Sequence, residues 1–212
     1  MKQQPEPLET LAEIRALMER SSRFISLSGL SGVFAGIFAL LGVAALALRF
    51  ELPYTLEGYQ SRAINVYGNP NPDFYRFILV DALIILVASL AIVILLTTRR
   101  ARRNNLPIWD KSARRVLWNM FIPLSAGGLF CLVLLMHGFV ALVAPATLLF
   151  YGLALLNTSK YSLPDIRYLA LSEISLGLVG SFFIGYGLFF WAIGFGLFHI
   201  LYGARMYQKY ER

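Results

Sequence analysis

The stretch TTRRARRNNLPIWDKSARR, residues 97–115, determines how the rest of this chain is organised. It contains seven Lys or Arg residues and one Asp, a net charge of +6, where the whole chain carries +7. Apolar stretches of membrane-spanning length flank it on both sides. Basic residues next to membrane-spanning helices remain on the cytoplasmic side of a bilayer. The stretch therefore predicts a cytoplasmic loop, and it fixes the orientation of the segments on either side.

The composition indicates an integral membrane protein of the all-α class. Of the 212 residues, 58% are hydrophobic and 15% are charged, whereas soluble domains carry about 25% charged residues. A membrane-spanning helix needs about 20 mostly apolar residues, and the chain has room for six of them. We expect spans at about 25–48, 77–96, 116–136, 139–156, 169–184 and 188–206. They form three hairpins in one helical bundle.

The last two of these spans come from one apolar stretch that is too long for a single helix. Residues 169–202 include one acidic residue, Glu173, and no Lys or Arg. A single helix over these residues would extend about 50 Å at about 1.5 Å per residue, against a hydrocarbon core of about 30 Å. The sequence Gly185-Tyr186-Gly187 offers a turn. We therefore predict two helices joined there.

The distribution of basic residues supports an even number of spans. With six, the segments on the side of the basic stretch hold 16 of the 19 Lys and Arg residues. Both termini then lie in the cytoplasm: a leader over residues 1–24 and a tail over residues 207–212. In the leader, Leu11 and Ile14 recur at helical spacing with Leu17, which predicts an amphipathic helix at the membrane interface. Its apolar side would pack on the bundle or on a partner chain.

The basic stretch itself is interpreted as a topology anchor. Its charge lies beside apolar segments rather than over a folded surface, which argues against nucleic acid as a partner. Contact with anionic lipid head groups is compatible with the anchoring role. The residues concerned are Arg99, Arg100, Arg102, Arg103, Lys111, Arg114 and Arg115.

Two glycines in the first predicted span indicate close helix packing. Gly32 and Gly36 are four residues apart, the spacing that lets two membrane helices approach closely. The partner helix would belong either to the same bundle or to a second copy of the chain.

Polar residues inside the predicted spans are the candidate functional groups, because such residues face the protein interior and have partners. Glu173 lies about one turn inside the fifth span, and the predicted orientation places most of the others in the same half of the membrane. One cluster open to the cytoplasm would be a ligand or proton vestibule. The alternative is a structural contact of Glu173 with Arg205 or Tyr202. The other candidate members are Asn119, Asn157 and His199.

Asp81 lies near the outer end of the second predicted span. It is either an interfacial carboxylate that reaches water or Arg76, or part of an ion pathway.

The sequence contains no recognisable catalytic or metal-binding motif. It has no H-E-x-x-H, G-x-S-x-G or P-loop pattern, and its two histidines and single cysteine are far apart. We therefore expect no enzyme activity, no metal and no cofactor.

Two stretches, ERSSRFISLSG (19–29) and LPDIRYLALSE (163–173), resemble those of uncharacterised bacterial multi-pass inner-membrane proteins. The resemblance implies a bacterial inner membrane and carries no activity. The leading functional hypothesis is a non-enzymatic component that senses, scaffolds or regulates through its cytoplasmic face, with a protein partner or a second copy. The alternative is a small-molecule or ion permease built around Glu173, His199 and Asp81.

Overall fold

The computed structural model describes residues 27–51, 61–64, 67–105 and 107–212. The predicted leader, residues 1–24, lies outside these ranges, as does part of the predicted external loop. The described residues are all-helical, which confirms the all-α prediction.

Six helices form the bundle of described residues. Five of them are long and apolar enough to cross a membrane, whereas α5, with 17 residues, is not among those five. The predicted count of six spans therefore remains a prediction. The helices are α1 Gly29–Phe50, α2 Pro72–Arg103, α3 Lys111–Met136, α4 Val140–Thr158 (which opens with a 3₁₀ turn), α5 Ile166–Phe182 and α6 Gly187–Tyr210.

The basic stretch is mostly helical rather than a loop. Its first arginines continue α2 as far as Arg103, because Arg and Ala are good helix formers. Asn105 then takes a positive φ of 51° and turns the chain. The Asp110 side chain accepts a hydrogen bond of 2.6 Å from the Ala113 backbone N–H, which caps the start of α3. Helix α2 is therefore longer than the predicted span 77–96.

Helices α1 and α4 are the two helices around which the others pack. Helix α1 packs against α2 and α6, and α4 packs against α3 and α5, with further contacts to α6. The outward surfaces of α2 and α3 are largely apolar and exposed. Such surfaces fit a lipid environment.

Glycines set the close crossing of α1 and α6. A Cβ atom at Gly203 would lie 2.6 Å from the carbonyl oxygen of Gly29, and one at Gly36 would lie 2.6 Å from that of Gly196. Gly32 also faces Gly203, with a Cβ position 3.3 Å from its Cα. The small-residue face of α1 is therefore occupied inside the monomer.

The two ends of the bundle differ in chemistry. At the C-terminal end of α1, Phe50 packs edge-on against Phe74 at 5.1 Å and against Phe77 at 5.3 Å. Val140 and Leu188, at the starts of α4 and α6, join this apolar cluster. The basic stretch and the C-terminal tail lie at the other end, which is called the basic end below.

Candidate functional site

Three polar side chains from three helices meet in the interior of the bundle. Glu173 comes from α5, His199 from α6 and Tyr151 from α4. The Glu173 side chain is fully buried, and His199 is 6% exposed. The Glu173 Oε1 atom lies 3.4 Å from His199 Nδ1. We call Glu173, His199 and Tyr151 the interior triad.

The hydrogen bonds of His199 determine where its proton lies. Its Nδ1 atom is 3.0 Å from the carbonyl oxygen of Gly194, and a carbonyl can only accept. Nδ1 therefore carries the hydrogen and donates it. Its Nε2 atom is 2.8 Å from the hydroxyl oxygen of Tyr151. A neutral imidazole accepts the tyrosine hydrogen at that position, so both ring nitrogens are satisfied without charge.

Glu173 is not satisfied in the same way. Among the described residues, neither of its carboxyl oxygens has a hydrogen-bond partner. The carboxyl group lies against the backbone of Gly194, where a Cβ atom would be 2.5 Å from Oε2. An ionised carboxylate without a donor is costly in an apolar interior. The room that Gly194 leaves is what allows the carboxyl group to lie there.

The interior triad adjoins an irregular segment of α6. Residues Ala192–Phe198 are π-helical, and His199 follows directly. The wider winding places the Gly194 carbonyl within reach of a side chain five residues later. Phe195, in the same segment, stacks on the His199 ring at 5.7 Å and packs at a tilt against the Tyr151 ring at 4.9 Å. Such π segments are frequent at functional sites.

The structure does not gather the predicted polar residues into one cluster. Glu173 and His199 are together, but neither predicted contact of Glu173, with Arg205 or with Tyr202, is formed. Arg205 is exposed. The Tyr202 hydroxyl is buried and has no hydrogen-bond partner among the described residues. The vestibule open to the cytoplasm is also not formed at Glu173, because that side chain is sealed.

Asn119 and Asn157 form a separate pair between α3 and α4. The Asn157 side-chain amide donates to the Asn119 backbone oxygen at 2.9 Å and to its side-chain oxygen at 3.2 Å. Asp81 lies on α2 beside Gly42 of α1, away from the interior triad. Tyr151 was not among the predicted site residues, because one tyrosine in an apolar span is indistinguishable from a core aromatic.

A second polar site lies at the basic end. Arg100 donates to the backbone oxygens of Leu27 and Tyr210, the latter at 2.8 Å. It also pairs with the Glu211 carboxylate at 3.4 Å. That carboxylate accepts hydrogen bonds from the Ser28 hydroxyl at 3.1 Å and from the Gly29 backbone N–H, the first residue of α1. We call this set the Arg100 junction.

The Arg100 junction distinguishes one arginine of the basic stretch from the others. The Arg100 and Glu211 side chains are only 14% and 13% exposed. The remaining basic residues of the stretch are exposed. They are Arg99, Arg102, Arg103, Lys111, Arg114 and Arg115.

A third contact joins α5 to the end of α6. Asp165, before α5, accepts hydrogen bonds from Lys209 at 2.7 Å and from the Tyr210 hydroxyl at 3.1 Å. The hydrogen bond from Lys209 is the main reason why the pKa of Asp165 is lowered from its usual value. The basic end thus holds the start of α1, the end of α2, the start of α5 and the end of α6 together.

Within the described part of the chain, His, Cys, Asp and Glu residues form no group of three or more that could hold a metal ion. No protein-family model, no curated protein and no solved structure matches this chain.

Proposed function

We propose that the chain is a six-span protein of a bacterial inner membrane with both termini in the cytoplasm. It acts as a non-enzymatic regulatory, sensing or scaffolding component through its cytoplasmic face. The Arg100 junction is the observation that carries this proposal, because it joins the first helix, the basic stretch and the C-terminal tail into one surface.

The orientation is supported by which helix ends share the basic end. Arg100 contacts residues at the start of α1 and the end of α6, and Asp165 connects the start of α5 to the same place. Most of the basic residues then lie on one side, as the positive-inside rule requires. A reporter fused after Arg212 should give a cytoplasmic signal, and one inserted near Asn69 an external signal. The reverse pattern, or one side for both, would refute the orientation.

The junction also includes the first described residue after the predicted leader. Leu27 lies three residues after the end of the predicted leader, and Arg100 donates to its carbonyl oxygen. A partner that binds the leader would therefore also lie beside the exposed cations of the basic stretch. Such placement suits a scaffold, because the leader that would bind the partner is joined to the bundle beside these cations.

The test is quantitative cross-linking of the full-length protein in native membranes. Deleting residues 1–20 should abolish cross-links to the partner. Arg100→Gln, which keeps the whole leader in the chain, should weaken them. Arg76→Gln, at the opposite end of the bundle, is the control and should change nothing. If the full-length protein cross-links to no other chain, or if the deletion leaves all cross-links unchanged, the scaffold proposal fails.

Anionic lipids are the proposed membrane partner of the same face. A cleft of about 450 Å³ near the C-terminal end of α4 and the start of α5 has Leu153 and Leu156 among its apolar residues and Lys160 and Arg167 among its polar ones. No ion pair is formed by either cation with another described residue. Apolar walls that end in cations suit an anionic head group and its acyl chain.

The lipid partner can be tested by thermal unfolding. Anionic lipid should raise the melting temperature of the wild type more than zwitterionic lipid does. The double variant Lys160→Gln/Arg167→Gln should lose most of that difference. Arg62→Gln/Arg76→Gln, at the other end, is the matched control. An equal response of both double variants would argue against a head-group site in this cleft.

A proton-linked permease is the second candidate, favoured by the buried carboxyl group of Glu173 beside His199. Its test is flux across liposomes that contain the purified protein. Glu173→Gln should abolish flux, and Asp81→Asn should reduce it if Asp81 lies on the pathway. Unchanged flux in Glu173→Gln would eliminate the site.

A further inference from the structure

We propose that Glu173 is a proton-binding site: its carboxyl group is protonated in this structure, and its deprotonation would draw the His199 Nδ1–H away from Gly194. This inference does not depend on either proposed function. It rests on the hydrogen-bond inventory of the interior triad and on the π-helical segment beside it.

The carboxyl group of Glu173 lacks hydrogen-bond donors among the described residues around it. An ionised carboxylate is only an acceptor, and in a protein interior it needs several donors. His199 Nδ1–H lies 3.4 Å from Oε1, and that hydrogen already points to the Gly194 oxygen at 3.0 Å. A neutral carboxyl group does not need several donors, and it brings one O–H donor of its own.

The hydrogen bonds of His199 indicate a neutral ring. Its Nδ1 donates to a carbonyl and its Nε2 accepts from Tyr151, a pattern that a neutral ring satisfies fully. His199 therefore supplies no positive charge to balance a carboxylate. Both members of the pair are neutral together.

Among the described residues, the helices around Glu173 and His199 present no charged side chain to the pair. Helix α4 contributes the titratable Tyr151, and α1 presents glycines to this part of α6. On α5 and α6, the charged side chains other than Glu173 are at the basic end. There Asp165 pairs with Lys209, while Arg167 and Arg205 are exposed. No described cation faces Glu173, so nothing stabilises its ionised form in place.

These contacts define what loss of the proton would do. When the proton leaves for water, the carboxylate needs a donor, and His199 Nδ1–H lies 3.4 Å away. Shifting that hydrogen from the Gly194 oxygen to Oε1 frees a carbonyl inside the π-helical segment Ala192–Phe198. Proton occupancy of Glu173 is thereby coupled to the winding of α6.

The test is infrared spectroscopy of the full-length protein in lipid bilayers at neutral pH. The spectrum should contain the C=O stretch of a protonated carboxyl group. Labelling with carboxyl-¹³C glutamate should shift that band in the wild type, and Glu173→Gln should remove it. Asp81→Asn is the matched control, and the ¹³C-shifted band should survive it. If Glu173→Gln does not fold, a wild-type spectrum without a ¹³C-sensitive carboxyl band would still refute the proton site.

The coupling is tested by raising the pH while following the ring nitrogens of His199 by ¹⁵N NMR. The resonance of Nδ1 should shift at the pH at which the carboxyl band disappears. A spectrum without a glutamate-derived protonated carboxyl band would overturn the proton site. A His199 Nδ1 resonance that does not change when the band disappears would overturn the coupling to α6.

Discussion

Replacing Arg100 by Gln is expected to destabilise the bundle far more than replacing its neighbour Arg99. Arg100 donates to two backbone oxygens and pairs with Glu211 where both side chains are mostly enclosed. Glutamine is too short to make all three contacts and carries no charge. The variant leaves the Glu211 carboxylate with the Ser28 hydroxyl and the Gly29 N–H as its donors.

The magnitude follows from the burial of the pair. Removing one partner of a buried ion pair costs about 3–5 kcal/mol, and a hydrogen bond to a charged group contributes about 1.5–3 kcal/mol. Because Arg100 and Glu211 keep 14% and 13% exposure, the lower end applies, about 3 kcal/mol. For a chain of this size that is a decrease in melting temperature of about 6–12 °C.

Thermal unfolding in detergent micelles, followed by circular dichroism, measures this difference. Arg99→Gln is the matched control, because Arg99 is exposed on the same turn of α2, and it should change stability by less than about 0.5 kcal/mol. A double-mutant cycle with Glu211→Gln should give a coupling energy of about 1–3 kcal/mol. Equal melting temperatures for Arg100→Gln and Arg99→Gln, or a coupling energy near zero, would refute the junction.

Three further substitutions test other contacts. Gly203→Ala should destabilise by about 1–3 kcal/mol, because its Cβ atom would meet the α1 backbone, whereas Gly128→Ala, with open space around it, should be neutral or slightly stabilising in the same melting assay. Asp165→Asn should lower the melting temperature at pH 7. The hydrogen bond from Lys209 lowers the pKa of Asp165, so its contribution is complete above about pH 4 and disappears as the pH falls through the lowered value. The variant should therefore lose part of the acid-induced decrease, whereas exposed Asp73→Asn should not. Tyr151→Phe should cost about 1 kcal/mol and shift the ¹⁵N resonance of His199 Nε2. An unchanged resonance would show that the hydroxyl does not bind the ring.

The described helices agree with the predicted segments at some boundaries and differ at others. Helix α3 ends at Met136, as expected for the span 116–136, and the turn at Gly185 is where α5 and α6 separate. These features depend on local composition. Apolar periodicity does not show where a polar sequence continues a helix, and α2 accordingly runs on through the arginines to Arg103.

Contacts between residues that are far apart in the sequence could not be predicted from local composition. The seven basic residues of the stretch are equivalent by composition, yet Arg100 alone among them reaches both Leu27 and Tyr210. That choice depends on how α1, α2 and α6 cross, which their glycines set. Whether Glu173 would lie beside His199, Arg205 or Tyr202 could not be chosen from the sequence for the same reason. His199 lies nearer the middle of α6 than Arg205, and the π-helical segment turns it toward α5.

Helix α5 shows why hydropathy alone is a poor test of whether this segment crosses the bilayer. It has 17 residues, and Glu173 near its middle reduces its apolar character. Hydropathy measures how well a surface suits lipid, whereas α5 presents much of its surface to protein. A Cβ atom at Gly177 would lie 2.7 Å from the Leu149 backbone nitrogen, and one at Gly152 would lie 2.8 Å from the Ala170 oxygen. These contacts hold α5 alongside α4 for about two turns, and Glu173 lies between them, facing α6 and enclosed by protein. A helix packed in this way can follow its neighbour through the membrane with fewer apolar residues. The packing of α5 against α4 is therefore the feature of this helix that bears on the predicted count of six spans, and its length is not.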